Sequence, residues 1–212
     1  MPPTKTEIHP SATLPSLPYA PALHSLILTS YKRKDIQAFP PSWHRLAPDV
    51  TQGLSDLGHE LGPNGSLILL LSGSGEPIAC AGLEPHRGLN WISHVPKHGD
   101  SANGTTSAST QKPHAASDTT GWEVCCFCVS PEHRGQGLAR TLIDVLCEQA
   151  KLRGGNELYA NYSVVETGNF WTRMGFADVE GGESVLKKGF THTQGMEGLR
   201  EDLHFKVGVR QV

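Results

Sequence analysis

The sequence predicts an α/β domain, and three stretches carry that prediction. Residues 122–129 (WEVCCFCV) are rich in aromatic and β-favouring types and end at Ser130-Pro131, a turn signal. Ala139, Leu142, Ile143, Leu146 and Ala150 then recur at helical spacing, with Arg140, Thr141, Asp144, Glu148 and Lys151 on the opposite face. Upstream, two apolar runs at 67–71 and 77–83 flank a Gly/Ser turn and form a β-hairpin pattern. A chain of 212 residues and 22.9 kDa suits one domain with a sizeable core.

The remaining elements follow in chain order. Residues 1–21 are rich in Pro, Ser and Thr and are expected to form a flexible tail that adds little to a core, with one domain over 22–212. Leu26, Ile27 and Leu28 could open a first strand, and 34–61 reads as two short helices broken by Pro40, Pro41 and Pro48. Residues 96–120 contain no Val, Ile, Leu or Phe, so they cannot bury enough apolar surface to offset ordering entropy and are expected to form a low-complexity insertion. The helix at 139–150 is stopped by Gly154-Gly155. A short strand is predicted at 157–160, a short helix at 168–174, a strand from Phe176 onward, and a last strand at 203–209.

Composition narrows the function classes. A formal charge of −3 gives no basic excess to attract phosphate backbones, so nucleic acid is not an expected partner. The longest purely aliphatic run, 67–71, falls far short of the roughly 20 residues that cross a bilayer. The opening residues resemble neither a signal peptide nor a transit peptide, so a cytoplasmic or nucleo-cytoplasmic location is expected. Five cysteines, three of them (Cys125, Cys126, Cys128) within four positions, read as reduced, buried thiols. His94 and His98 have helical spacing but enclose Pro96, and no metal site is expected.

Between the strand and the helix lies Arg134-Gly135-Gln136-Gly137-Leu138-Ala139. A glycine turn that leads into a helix N-terminus exposes backbone N–H groups and the positive end of the helix dipole, which suits an anion; a plain tight turn is the alternative. The pattern lacks the Lys-Ser/Thr of a P-loop and does not match the dinucleotide fingerprint.

Arg134-x-x-Gly137-x-Ala139 resembles the acyl-CoA signature of the GNAT superfamily, the GCN5-related N-acetyltransferases, and 170–176 (FWTRMGF) is similar to a later segment of that family. The resemblance implies a mixed, mostly antiparallel sheet flanked by helices, with a splayed strand pair that holds the cofactor. It implies acetyl-CoA as acyl donor and an amine as acceptor. The backbone of Phe127, Cys128 and Val129 would line the pantetheine arm. Arg134 and the amides of Gly135, Gln136, Gly137, Leu138, Ala139 and Arg140 would hold the pyrophosphate. Phe170 and Trp171 would complete the cofactor wall.

The same resemblance places a catalytic glutamate at Glu123, to take a proton from an amine whose pKa is ordinarily near 10.4. It also puts the Phe127 backbone N–H by the thioester carbonyl, to stabilise an oxyanion. Trp171 stands where many members carry a tyrosine that protonates the leaving thiolate, and indole cannot do so. Tyr162, or Tyr159, could substitute as the acid, or the thiolate could leave unassisted or take its proton from water. The expected activity is acetyl transfer to a primary amine of a small molecule by direct attack in a ternary complex. Protein lysine or N-terminal acetylation, and a catalytically silent acyl-CoA-binding protein, are the alternatives. A monomer or homodimer is expected.

Overall fold

A computed structural model describes residues 5–32, 37–89, 92, 121–190 and 197–212. The expected insertion at 96–120 lies outside the described residues. Eight strands form one continuous sheet: β1 (Lys5–Pro10), β2 (Ser66–Leu71), β3 (Pro77–Pro85), β4 (Gly121–Val129), β5 (Glu157–Ser163), β6 (Ala177–Asp178), β7 (Ser184–Leu186) and β8 (Leu203–Gln211). The order across the sheet is β1-β2-β3-β4-β5-β8-β6, with β7 also paired to β8. β4 and β5 run parallel, and every other neighbouring pair is antiparallel.

Among the described residues five α-helices complete the fold: α1 (Ala20–Ser30), α2 (Val50–Leu61), α3 (Leu138–Leu152), α4 (Val164–Thr167) and α5 (Phe170–Arg173). α1 and α2 cover one face of the sheet and α3 covers the other. β2 (SLILLL) is buried at every position because both of its faces are covered, which explains an unbroken apolar run rather than an alternating one. α3 buries Leu138, Leu142, Ile143, Leu146 and Ala150 and leaves Asp144 and Glu148 in solvent, as the periodicity predicts. Among the described residues no helix is long and apolar enough to cross a membrane.

The N-terminal third differs from the sequence expectation in three places. Lys5–Pro10 is not a loose tail: it pairs in register with β2 from Lys5↔Leu71 to Pro10↔Ser66. It looks polar in sequence because it is an edge strand whose outer face meets solvent. The 3-10 turn Ser11–Ser16 then buries Leu14 completely and lies so close to α2 that a Cβ on Gly58 would sit 2.6 Å from the Ser11 carbonyl oxygen. Leu26, Ile27 and Leu28 belong to helix α1, not to a strand: Leu23, Leu26 and Ile27 fall at helical spacing onto the sheet, and Pro21 opens the helix. Only one helix, α2, forms between 37 and 61, started by the Asp49 carboxylate accepting from the Gln52 N–H at 2.8 Å.

Candidate active site

The site is built where β4 and β5 part. They pair only from Gly121↔Glu157 to Val124↔Ala160; beyond that, residues 125–129 stay on β3 and residues 161–163 stay on β8. A bulge at Cys126, a non-glycine residue with φ 45°, marks the divergence, together with a register shift between Cys80 and Gly82. Before the bulge Glu123 and Cys125 share the α1/α2 side; after it, Cys126 and Cys128 do, and Phe127 and Val129 turn to the α3 side. The bulge therefore sets which side chains face which helix layer.

It also exposes backbone groups inside the splay. The Phe127 carbonyl accepts from the Tyr31 hydroxyl at 3.1 Å, and the Val129 carbonyl accepts from Ser30 Oγ at 3.3 Å and Arg134 Nε at 3.4 Å. Both carbonyls thus face away from β3, and an extended residue carries its N–H on the same side as its carbonyl. Cys128, between them, turns its backbone to β3, where it opposes Cys80. Of the three β4 residues expected along the cofactor arm, Phe127 and Val129 offer backbone groups to the splay and Cys128 does not. Its thiol instead lies on the α1/α2 side, 3.2 Å from that of Cys80 on β3, and all five thiols are free.

The loop after β4 has the expected anion-binding form. Gly135 and Gly137 have φ of 79° and 83°, values that L side chains adopt only with strain, and Gly137 is the residue from which α3 starts. Among the described residues no side chain caps α3, and no acidic residue occupies its first turn. The N–H groups of Leu138, Ala139 and Arg140 therefore point out of the helix end without an intrahelical acceptor. Arg134, Gln136 and Arg140 are exposed around them.

Phe170 and Trp171, on α5, come to the same place. The Phe127 ring lies 5.6 Å from Phe170 and 5.5 Å from Trp171, centroid to centroid. Trp171 is 6% exposed, and its indole N–H has no hydrogen-bond partner among the described residues. The amide of Asn161 and the hydroxyl of Ser163, on the part of β5 that leaves β4, are likewise buried and without partners among the described residues. Buried donors and acceptors without partners are uncommon, and their occurrence beside a parted strand pair fits a ligand that carries amide groups. The pantetheine arm of acetyl-CoA is such a ligand, and the exposed helix end beyond it fits a pyrophosphate.

Two expected catalytic side chains are placed differently. Tyr162 packs beside Trp171 at 5.9 Å, but its hydroxyl donates to Asp178 at 2.7 Å. Burial and that carboxylate push its pKa up, which makes it a poor acid. Tyr159 is similarly committed to Glu157, at 2.7 Å.

Glu123 is 1% exposed, not open to an acceptor. One of its oxygens takes the Arg87 guanidinium at 2.6 Å; the other lies 3.2 Å from His86 Nδ1 and accepts the Arg87 backbone N–H at 3.3 Å. Burial opposes its ionisation, but Arg87 and His86 outweigh that and hold its pKa down at about 2. A carboxylate so engaged is a weak base, and its place is that of an anchor for Arg87 and His86, the latter stacked on Tyr159 at 3.8 Å.

Sequence reasoning did not single out the partners of Glu123. Glu84 on β3 sits directly opposite it and is itself within 3.2 Å of Arg87. Carboxyl oxygens of Glu60 and Glu84 and the Cys125 sulfur lie within 4.8 Å of one another on the α1/α2 side, and Arg45 holds Glu60 through contacts of 2.8 and 2.9 Å. The available signal was a single carboxylate in each of two apolar strands, at Glu84 and Glu123.

Matched against protein families, residues 28–176 fit the acetyltransferase (GNAT) family. No curated protein matches the chain. Solved structures share its fold at low identity. An acetyltransferase from Thermus thermophilus superposes with a TM-score of 0.55 at 19% identity, covering 100% of both chains. A ribosomal-protein-alanine N-acetyltransferase from Brucella melitensis gives 0.55 at 15%, over 98% of this chain and 99% of that one. An acetyltransferase from Salmonella typhimurium, solved with its cofactor acetyl-CoA, gives 0.51 at 13%, over 98% and 92%. With the parted strands, the uncapped helix start and a family match over most of its length, the chain belongs to the acetyltransferase (GNAT) family.

Proposed function

We propose that this acetyltransferase moves the acetyl group of acetyl-CoA to a primary amine of a small molecule, by direct attack of the amine on the thioester. The observation that carries the proposal is the splay of β4 from β5, with backbone groups of Phe127 and Val129 turned away from β3 and leading to the open N-terminus of α3. The pantetheine arm lies along those groups, and the pyrophosphate takes the amides from Gly135 to Arg140. The Phe127 N–H faces the thioester carbonyl and stabilises negative charge on its oxygen as the amine adds.

The acceptor comes from the α1/α2 side. There Glu60, Glu84 and Glu123 stand against Arg45 and Arg87, an excess of one negative charge while His86 is neutral. Glu60, the most exposed of these carboxylates, is the one that can meet an ammonium group. Because Glu123 is tied to Arg87, the amine loses its proton to water and attacks as the free base.

The test is an amine screen that follows thiol release from acetyl-CoA, with polyamines, amino sugars and amino acid amides beside peptides that carry a free N-terminus or lysine. Fastest turnover with a small amine is the expected result. A peptide preferred by tenfold or more would move the assignment to a protein N-terminus or lysine; the name of the Brucella structure gives a ribosomal protein's alanine as its substrate. Binding of acetyl-CoA with no turnover of any amine would favour a silent acyl-CoA-binding protein.

A further inference from the structure

The structure leaves the leaving thiolate without the acid that Trp171 cannot be, and the four tyrosines of the chain can be compared directly. Three of them spend their hydroxyls on carboxylates. Tyr19 donates to Glu7 at the far edge of the sheet, Tyr159 to Glu157 and Tyr162 to Asp178. Burial and the carboxylate push each of these phenols up, Tyr159 to about 12. Tyr31 is different. It closes the C-terminal end of α1, and its hydroxyl donates to the carbonyl of Phe127, the residue directly after the β4 bulge and inside the splay. The Arg45 guanidinium lies 5.9 Å from the centre of its ring.

We propose that Tyr31 is the general acid of the acetyl transfer, giving its hydroxyl proton to the departing CoA sulfur. The inference rests on the acetyl-transfer reading above. The amine nitrogen forms a bond to the thioester carbon, the C–S bond breaks, and its electron pair leaves on sulfur. The Tyr31 proton goes to that sulfur to give the free thiol. The nitrogen, positively charged once it has added, gives its second proton to water to leave the neutral amide, and the phenolate takes a proton back from water, so that one proton is released overall. The hydroxyl turns from the Phe127 carbonyl to the sulfur by rotation about its C–O bond and adjustment of the ring.

The test is Tyr31→Phe, beside Tyr19→Phe as a remote control. Tyr31→Phe should lower kcat with the best amine by about a hundredfold, the usual scale of general acid catalysis. CoA affinity measured by calorimetry should change less than threefold. The wild-type kcat profile should fall at alkaline pH as Tyr31 ionises, and that limb should be missing in the variant. A kcat within threefold of wild type, or a lowered kcat that keeps the alkaline limb, would overturn the assignment. Should the variant not fold, wild-type protein grown with 3-fluorotyrosine serves instead: the more acidic phenol should move the limb to lower pH, and an unmoved limb would overturn the assignment. Wild-type protein that acetylates no amine refutes the acetyl-transfer reading itself; an active wild type with an unaffected Tyr31→Phe refutes only the role of Tyr31.

Discussion

The two sides of β4 are built from different materials. Towards α3 it presents Trp122, Val124, Phe127 and Val129 to aliphatic and aromatic neighbours. Towards α1 and α2 it presents Glu123 and three cysteines, with Arg87, His86 and Glu84 buried beside them. The first side is held mainly by apolar packing, without buried ion pairs between β4 and its neighbours among the described residues. The second depends on ion pairs out of water, which stabilise only while their charges match. In the proposed reading the donor's arm and pyrophosphate lie on the side held by apolar packing, and the acceptor on the side whose stability follows pH.

The contrast is broken most strongly at Glu123. Glu123→Gln leaves the Arg87 guanidinium buried with a weakened partner set and should cost about 3–5 kcal/mol at pH 7, measured by urea unfolding. The folded-state pKa of Glu123, at about 2, lies below its ordinary value near 4.3. Its contribution is therefore complete above about pH 4.3 and disappears as pH falls towards 2. The gap between wild type and variant should close over that range, and a gap that stays constant would show that Glu123 is not ionised in the fold.

On the other side, Leu142→Ala empties a fully buried position of α3 and should cost about 2–5 kcal/mol at any pH where the protein folds. A gap that varied with pH would erase the distinction between the two sides. Gly137→Val puts a branched residue at φ 83° and should cost about 1–2 kcal/mol of stability. Its larger effect is on binding: it should weaken acetyl-CoA by tenfold or more, since each lost hydrogen bond to a charged group is worth roughly 1.5–3 kcal/mol. The smallest effect sharpens the same contrast. Asp49→Ala removes the cap of α2, should cost about 1 kcal/mol, and should leave acetyl-CoA affinity unchanged because α2 lies on the acceptor side.

Legibility in the sequence follows the same division. β4, the glycine loop and α3 were readable because periodicity and turn chemistry determine them, and Phe170 and Trp171 through the resemblance of 170–176 to a family segment; their contact with Phe127 comes from the fold. The N-terminal third was not. Lys5–Pro10 becomes a strand only because β2 offers it an edge, and Leu26 with its neighbours is helical because of what it packs on. Glu123 was visible as a lone carboxylate in an apolar strand, but its engagement by Arg87 and His86 comes from β3 pairing alongside β4, which spacing within one segment does not encode. Tyr31 reaches Phe127 across 96 positions of sequence, so only the fold brings it to the site.

The central claim is that the parted strands and the start of α3 hold acetyl-CoA. Thermal unfolding of the wild-type protein with acetyl-CoA, and with NAD and ATP as controls, tests it most directly. A ligand bound only by the folded state adds about 2.7 kcal/mol at a hundredfold excess over its Kd, enough to raise the midpoint by several degrees. A rise with acetyl-CoA that neither control reproduces is the predicted result; no rise at saturating acetyl-CoA would contradict the account and leave the glycine loop a structural turn.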